Sequence, residues 1–349
     1  MRRKTLTIVS QFPKGYLNLP LSKEVGRQIN SIPGIIWILG GAVLPPIALI
    51  FLLIVIFGSK VQLFAKKVQG EVNKPPSRDS CALASILDYG RATEHLVMGV
   101  LVDLANRGFI DIYNQEKDFV IYQKNVSRHK RMQLKPYETI LLEKIFLPKQ
   151  TTVGSIDVEA RLARHLYSRK LALVYLGIYD EGTSLGYFSD PPPKIHLKYR
   201  LIGIGSFFMG LLGYILFAIV SPDPKFVLFF WLSMIISGIL IINFAPNITG
   251  FSRRGEILRG EWLKFKNFLS KDEILRGHDE LFEKYLPYAV SMNVEAAWAA
   301  RFIESNFIMP EWYNFPGEID GVENFAKSLL PIIDYLGDAL ATSTDPLVR

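Results

Sequence analysis

The sequence has only one cysteine, Cys81, among its 349 residues. No disulfide can therefore form within the chain, and the cysteine framework of a small secreted domain is excluded. Common catalytic motifs are also missing, since there is no HExxH pair, no GxxxxGK[ST] phosphate loop and no GxSxG nucleophile elbow. No second metal ligand lies at a usable spacing from any of the five histidines, His95, His129, His165, His196 and His278. We therefore predict no catalytic residue, no cofactor and no metal site.

Charged residues are absent from three apolar stretches, Ile35–Phe57, Leu201–Val220 and Phe226–Phe244. A helix rises about 1.5 Å per residue, so each stretch is long enough to cross roughly 30 Å of hydrocarbon. Proton relays and ion paths usually need an ionisable residue inside a span. The sequence therefore predicts an integral membrane protein with three transmembrane helices, and it argues against a coupled transporter.

Basic residues near the ends of the spans predict the orientation. They follow the first span, precede the second and follow the third: Lys60, Lys66, Lys67, Lys194, Lys198, Arg200, Arg253, Arg254 and Arg259. Loops rich in lysine and arginine remain in the cytoplasm. We therefore expect residues 58–200 and the tail 245–349 to be cytoplasmic, and residues 1–34 to form an extracytoplasmic stub. Basic residues within that stub, such as Arg2 and Arg3, conflict with this orientation.

The segment between the first two spans, residues 58–200, reads as an α+β domain. Apolar residues recur at helical spacing in Ala92–Arg107, after a shorter helix at Ser80–Leu87. Two short β runs follow, Phe109–Tyr113 and Phe119–Gln123, around a polar turn. Two helices followed by a hairpin is the order of a winged helix. Further helices are predicted at 136–146 and 156–179, and the overall fold class is a mainly α membrane protein.

The winged-helix order in a basic segment leaves two interpretations open. Residues 58–200 contain 22 basic and 15 acidic residues. In a DNA-binding protein, the first candidates for phosphate contacts would be Arg91, Arg128, Lys130 and Arg131. Winged helices also serve as protein-contact modules, and basic residues beside a membrane are explained by topology and by anionic lipids. We favour partner contacts over nucleic acid for these four residues.

The tail 245–349 is predicted to be helical and rich in aromatic residues. Helices are expected at 255–269, 279–285, 296–303 and 325–340. A packing motif is predicted at Trp262, Phe282, Tyr285, Pro287 and Trp298. The tail contains 11 basic and 16 acidic residues, so it could attract the basic middle segment or remain a separately solvated surface.

Several segments resemble one family of membrane proteins. The runs "LVDLANRGFIDI" (101–112), "LKPYETILLEKIF" (134–146) and "LFEKYLPYAVSMNVEAAWAARF" (281–302) resemble the C-terminal half of the DUF2207 predicted membrane proteins. Family members usually begin with a signal peptide and an extracytoplasmic β-sandwich-like domain, of which Leu6–Leu17 looks like the last strand. The resemblance implies a short or truncated member in a prokaryotic plasma membrane. It implies a topology and no catalytic residues.

Three functions remain open at this stage. The favoured one is a non-enzymatic scaffold of the cell envelope that contacts the bilayer and a membrane or cytoplasmic protein partner. The second is a membrane-tethered DNA-binding regulator, supported by the basic helix–helix–hairpin segment. The third is a membrane enzyme or transport accessory, supported by Pro45 and Pro46 in the first span and by the aromatic tail.

Overall fold

A computed structural model describes residues 21–65, 72–115, 118–163, 169–220 and 225–341. The described residues divide into two compact units. The membrane unit lies within Met1–Leu53 and Tyr199–Phe244, and the α+β unit lies within Ile54–Lys198 and Ala245–Arg349. The strand predicted at Leu6–Leu17 lies outside the described residues.

The first half of the chain is mainly helical, with a small sheet. Its helices are α1 (Leu21–Asn30), α2 (Gly34–Ala65), α3 (Cys81–Tyr89), α4 (Glu94–Asn106), α5 (Arg128–Arg131), α6 (Pro136–Ile145), α7 (Ser155–Ala163) and α8 (Arg169–Ser184). Its strands are β1 (Ile110–Asn114), β2 (Phe119–Gln123) and β3 (Thr152–Gly154). The helix predicted over 156–179 is described as α7 and α8, and the residues between them lie outside the described part.

The second half adds the remaining spans and the tail. Its helices are α9 (Pro192–Val220), α10 (Lys225–Phe244), α11 (Arg253–Leu269), α12 (Glu280–Ser291), α13 (Glu295–Ala300) and α14 (Val322–Ala341), with one 3₁₀ turn at Ala245–Asn247 and a short strand β4 (Tyr313–Asn314). The prediction of a mainly helical membrane protein is confirmed. Three helices are long and apolar enough to cross a membrane, over Gly34–Val55, Pro192–Val220 and Lys225–Asn247.

Glycines permit close helix packing in the membrane unit. A Cβ at Gly203 of α9 would lie 2.9 Å from the Gly238 carbonyl oxygen of α10. On the other side of α10, a Cβ at Gly34 of α2 would lie 2.6 Å from the Phe226 ring. Ser206 also donates a 3.1 Å hydrogen bond to the Met234 carbonyl oxygen. Close backbone approach of this kind is how membrane helices associate without a hydrophobic driving force between them.

The sheet of the α+β unit has the order β3-β2-β1-β4. The hairpin strands β1 and β2 are antiparallel with Ile112 opposite Ile121, and β3 adds to β2 in the antiparallel sense. On the other edge, β4 pairs in parallel with β1, placing Tyr313 opposite Ile112. A strand from the tail therefore completes the sheet of the middle segment.

The ends of α3 follow from local sequence. Ser80 is its N-cap, and the Ser80 hydroxyl accepts a hydrogen bond from the Leu83 N–H. At the other end, Gly90 has φ of 76° in the left-handed region, and its N–H donates to the Ile86 carbonyl oxygen at 2.7 Å. These caps set the short connection from α3 to α4.

Candidate functional site

The helix before the hairpin, α4, is covered by the tail helix α12. A Cβ at Gly99 would lie 2.5 Å from the Ser291 Cβ and 2.7 Å from the Pro287 carbonyl oxygen. One end of the contact is fixed by Asn106, whose side-chain amide donates to the Glu283 carbonyl oxygen at 2.7 Å. The two helices therefore run antiparallel. The second helix of a DNA-binding helix–turn–helix normally enters the major groove. Here the corresponding helix packs against protein.

The four basic residues predicted as phosphate or partner contacts do not form one patch. Arg128 and Arg131 are exposed on α5, whereas Lys130 is half-buried, with its Nζ 3.4 Å from the Gly108 carbonyl oxygen and 5.4 Å from the centre of the Phe109 ring. Gly108 lies just beyond the C-terminal end of α4. Arg91 is exposed before the other end of α4, and 13 residues of helix separate these ends by about 20 Å.

The predicted aromatic motif of the tail lies in the core. Trp262 stacks on Tyr288 with ring centres 5.5 Å apart, and the Trp298 indole N–H donates to the Phe282 carbonyl oxygen at 3.1 Å. Tyr285 is 2 % exposed and packs edge-on against Phe265. Pro287 is buried, and its carbonyl oxygen is the one that faces Gly99. The motif therefore joins the tail to the middle segment.

The middle segment and the tail share one hydrophobic core. One ion pair between them is opposite in sign to the net charges of the two segments. Lys266 of the tail lies 2.7 Å from Asp88 of α3, so the acid comes from the basic segment and the base from the acidic tail. Arg259 of α11 is buried, donates to the Asp88 carbonyl oxygen at 3.2 Å and lies over the Phe251 ring. Burial lowers the pKa of Arg259. Apolar packing, more than net charge, holds these segments together.

A partly buried ionic cluster joins the C-terminal end of α4 to the N-terminal end of α6, and only its Glu138 is fully buried. Arg107 lies 2.9 Å from Asp103 and 2.8 Å from Glu138, and Glu138 also accepts a 3.0 Å hydrogen bond from the Lys135 N–H. Burial alone lowers the pKa of Arg107, but the two carboxylates more than offset this and raise it. Burial raises the pKa of Cys81 well above its ordinary value. A neutral, buried thiol is a poor nucleophile, so Cys81 is not set up for nucleophilic chemistry.

An open cleft lies between the hairpin, α7 and α14. We name it the α14 cleft; its volume is about 910 Å³, and the side chains used below are Asp118, Phe119, Ile156, Glu318, Lys327 and Tyr335. Ile156 is 76 % exposed, although it is a large apolar residue. Asp118 and Glu318 are exposed at the rim, and Lys327 pairs with Glu323 at 2.7 Å. The rim is therefore acidic around an apolar floor.

Tyr335 fixes one wall of the α14 cleft. Its hydroxyl donates a hydrogen bond to Glu159 of α7, and this bond raises the pKa of Tyr335 to about 12. The floor is fixed by Asn114, whose side-chain amide donates to the Tyr313 hydroxyl at 3.0 Å and to the Ser328 carbonyl oxygen at 2.8 Å. Among the residues that the structure describes, no group of three or more His, Cys, Asp or Glu side chains could hold a metal ion.

Comparison with known families matches this architecture to one family model. A model described as the C-terminal domain of DUF2207, a predicted membrane protein, matches residues 71–302. The chain belongs to the DUF2207 family. The resemblance predicted from the sequence is thus confirmed, and the match includes α4, α12 and the ionic cluster. No curated protein and no solved structure matches the chain.

The α14 cleft was not found by sequence reasoning. The helix α14, which forms one of its sides, follows the last residue that the family model matches. Besides Phe315, Glu318 and Ile319 just before α14, the lining residues come from more than 150 positions earlier, so no local motif identifies the cleft. The available signal was Ile156, a large apolar residue placed between polar neighbours at the start of α7.

Proposed function

We propose that this DUF2207 member is a non-enzymatic membrane scaffold whose α+β unit binds a protein partner. The observation that carries the proposal is the contact between α4 and α12. In this contact the winged-helix-like segment packs against protein. The aromatic motif is accounted for by this packing, and the ionic cluster by the contact between α4 and α6. The α14 cleft is an apolar surface that remains open to a partner.

The α14 cleft fits a basic, partly apolar segment of a partner protein. Asp118 and Glu318 supply negative charge at the rim, and the charge of Lys327 is already paired with Glu323. Ile156 offers exposed apolar area inside the rim, whereas Phe119 beneath it belongs to the core. Complementary charge steers and selects a partner, whereas the buried apolar contact supplies most of the affinity.

Site-specific photo-crosslinking in cells tests the proposal. A photoreactive phenylalanine analogue replaces Ile156 in the cleft or, as the control, Met132 outside it; these residues are 76 % and 78 % exposed. We expect a discrete crosslinked product at position 156 that is absent at position 132. The D118N/E318Q double variant should weaken that product. Equal products at both positions, or none at position 156, would contradict the proposal.

The DNA-binding alternative draws support from Arg128 and Arg131, which are exposed on α5. It lacks the element that normally reads the major groove, since α12 covers α4. The test is duplex binding by the full chain in detergent across a salt series, with the R128Q/R131Q double variant as the comparison. Residues 70–190 alone would be unsuitable, because removing the tail uncovers an apolar face. Duplex binding that is tight at low salt and lost in the double variant would favour the alternative.

We also infer that the α+β unit faces the cytoplasm of a prokaryotic cell, with the N-terminus outside. Lys194 and Lys198 lie just before the apolar part of α9, and Arg253 and Arg254 are exposed after α10. This pattern agrees with the positive-inside rule. A green fluorescent protein fused after residue 349 should fluoresce, and a periplasmic reporter at the same place should stay inactive. The reverse result would overturn the orientation.

A further inference from the structure

A second cleft lies at the N-terminal end of α11. We name it the α11 cleft; its volume is about 770 Å³, and the lining residues that matter here are Ser77, Tyr187, Arg253, Arg254, Ile257 and Glu261. Gly255 permits close backbone contact beside it, because a Cβ there would clash with the Tyr187 carbonyl group. The backbone of the middle segment thus lies directly against the first turn of α11.

Two arginines give the α11 cleft its charge. Arg253 and Arg254 are exposed, and in the described part of the chain neither has a carboxylate within ion-pair distance. Arg254 lies over the Tyr187 ring, with its guanidinium carbon 5.7 Å from the ring centre. Of the nearby acids, Glu261 is paired with Lys264 at 2.8 Å, and Asp79 accepts hydrogen bonds from the hydroxyl groups of Tyr187 and Ser77. Neither arginine is therefore neutralised by an ion pair with a described carboxylate.

The same face of α11 exposes a large apolar residue. Ile257 is 64 % exposed and lies one turn after Arg253, whereas Trp262 and Phe265 on the opposite face are buried. The exposed Ile257 offers an apolar contact directly beside two arginines that could bind an anion. Both features are satisfied together by a ligand that has a phosphate and an apolar body.

The α11 cleft is built from residues that are close in sequence to the predicted spans. Eight residues separate the end of α10 at Phe244 from Arg253, so the chain limits their distance to roughly 30 Å. The connecting residues are folded back within the α+β unit, since the Gly250 carbonyl oxygen accepts a 3.0 Å hydrogen bond from the Ser189 N–H. Ser189 lies only a few residues before α9 begins. The α11 cleft is thus adjacent in sequence to two predicted span ends.

We propose that the α11 cleft binds the phosphate head group of an anionic phospholipid. Arginine forks match phosphate oxygens with two parallel hydrogen bonds, and both arginines stand in the first turn of the 17-residue helix α11, where the helix dipole favours an anion. Ile257 contacts the glycerol and upper acyl region of the same lipid. Basic residues in a topology signal alone would need neither a cleft nor an exposed isoleucine.

The test is a titration of phosphatidylglycerol into the full chain in a neutral detergent, read by native mass spectrometry. Each juxtamembrane arginine contributes about fivefold to the affinity for anionic lipid, so the R253Q/R254Q double variant should bind roughly 30-fold more weakly. The matched control is R128Q/R131Q, which removes two exposed arginines from α5. It should bind as tightly as the unmodified chain, and phosphatidylcholine should bind weakly to all three proteins.

Three outcomes would overturn the proposal. The first is unchanged binding by R253Q/R254Q, which would leave topology as the role of the two arginines. The second is equal loss in R128Q/R131Q, which would mean diffuse attraction without a site. The third is binding of inorganic phosphate with the affinity of the lipid, which would assign the cleft to a free anion. A melting temperature for each variant shows that the surface substitutions leave the fold intact.

Discussion

Replacing Gly99 with alanine tests whether the middle segment and the tail form one core. The added Cβ would meet the Ser291 Cβ at 2.5 Å and the Pro287 carbonyl oxygen at 2.7 Å. That carbonyl belongs to the backbone of α12, so no change of side-chain rotamer can relieve the contact. G99A therefore forces α4 and α12 apart, and packing contacts are lost along the whole interface between these two helices.

Two terms of opposite sign determine the size of the effect. Alanine in place of glycine inside a helix stabilises it by about 1 kcal/mol. Overpacking a core costs about 1–3 kcal/mol, and contact with a backbone atom places G99A near the upper limit. The net destabilisation is then about 2 kcal/mol, obtained as the difference of these two terms. For a domain of this size the melting temperature should fall by about 4–8 °C.

The matched control is Gly337 of α14, where an added Cβ would have no atom within 4 Å. G337A gains the helix propensity without the clash, so its melting temperature should rise by a few degrees. The assay is thermal unfolding of the full chain in detergent, followed by tryptophan fluorescence, since Trp262 and Trp298 are buried in this core. A melting temperature of G99A at or above that of the unmodified chain would refute the reasoning.

Three further predictions concern pH, thiol reactivity and the spans. Burial raises the pKa of Glu295, so the folded state binds this proton more tightly than the unfolded state. The stability that the proton contributes is therefore lost as pH rises above about 4.5. The melting temperature of E295Q should depend less on pH across that range than that of the unmodified chain. Cys81 is 2 % exposed and should react with a maleimide only after unfolding, so modification under native conditions would contradict its burial. In the membrane unit, G203A should lower the aggregation temperature in detergent because its Cβ would crowd Gly238. G205A is the control and should not lower it, since a Cβ there would have no atom within 4 Å. Equal effects of the two variants would contradict close packing of α9 and α10 at Gly203.

Elements with local signals could be predicted closely from the sequence. The span predicted at Phe226–Phe244 is α10, Lys225–Phe244, in the structure. The absence of charged residues defines both ends of such a span to within a residue or two. The hairpin strands were also placed within one residue, since the apolar runs on either side of a polar turn bound them. Longer helices ended where capping residues predicted, as at Gly108 after α4.

The packing of the tail on the middle segment has no comparable local signal. The strand β4 has two residues and pairs with β1 about 200 positions away, so no periodicity identifies it. One indication was available in α4, whose buried residues include Met98 and Val102 as well as the apolar face predicted from the sequence. A helix that is apolar all round is buried on all sides. Its second partner could have been sought in the tail.

The shared core also constrains the topology and the order of folding. Residues of α4 and α12 can pack together only if both segments lie on the same side of the membrane. Exactly two of the predicted spans, α9 and α10, separate them in sequence, and an even number of crossings returns the chain to its starting side. During synthesis α4 is made before both spans. Its apolar face therefore stays exposed until α10 has inserted into the membrane and α12 has been synthesised. Completion of the α+β unit therefore depends on insertion of the helical hairpin, which couples membrane integration to formation of the surface that carries both proposed sites.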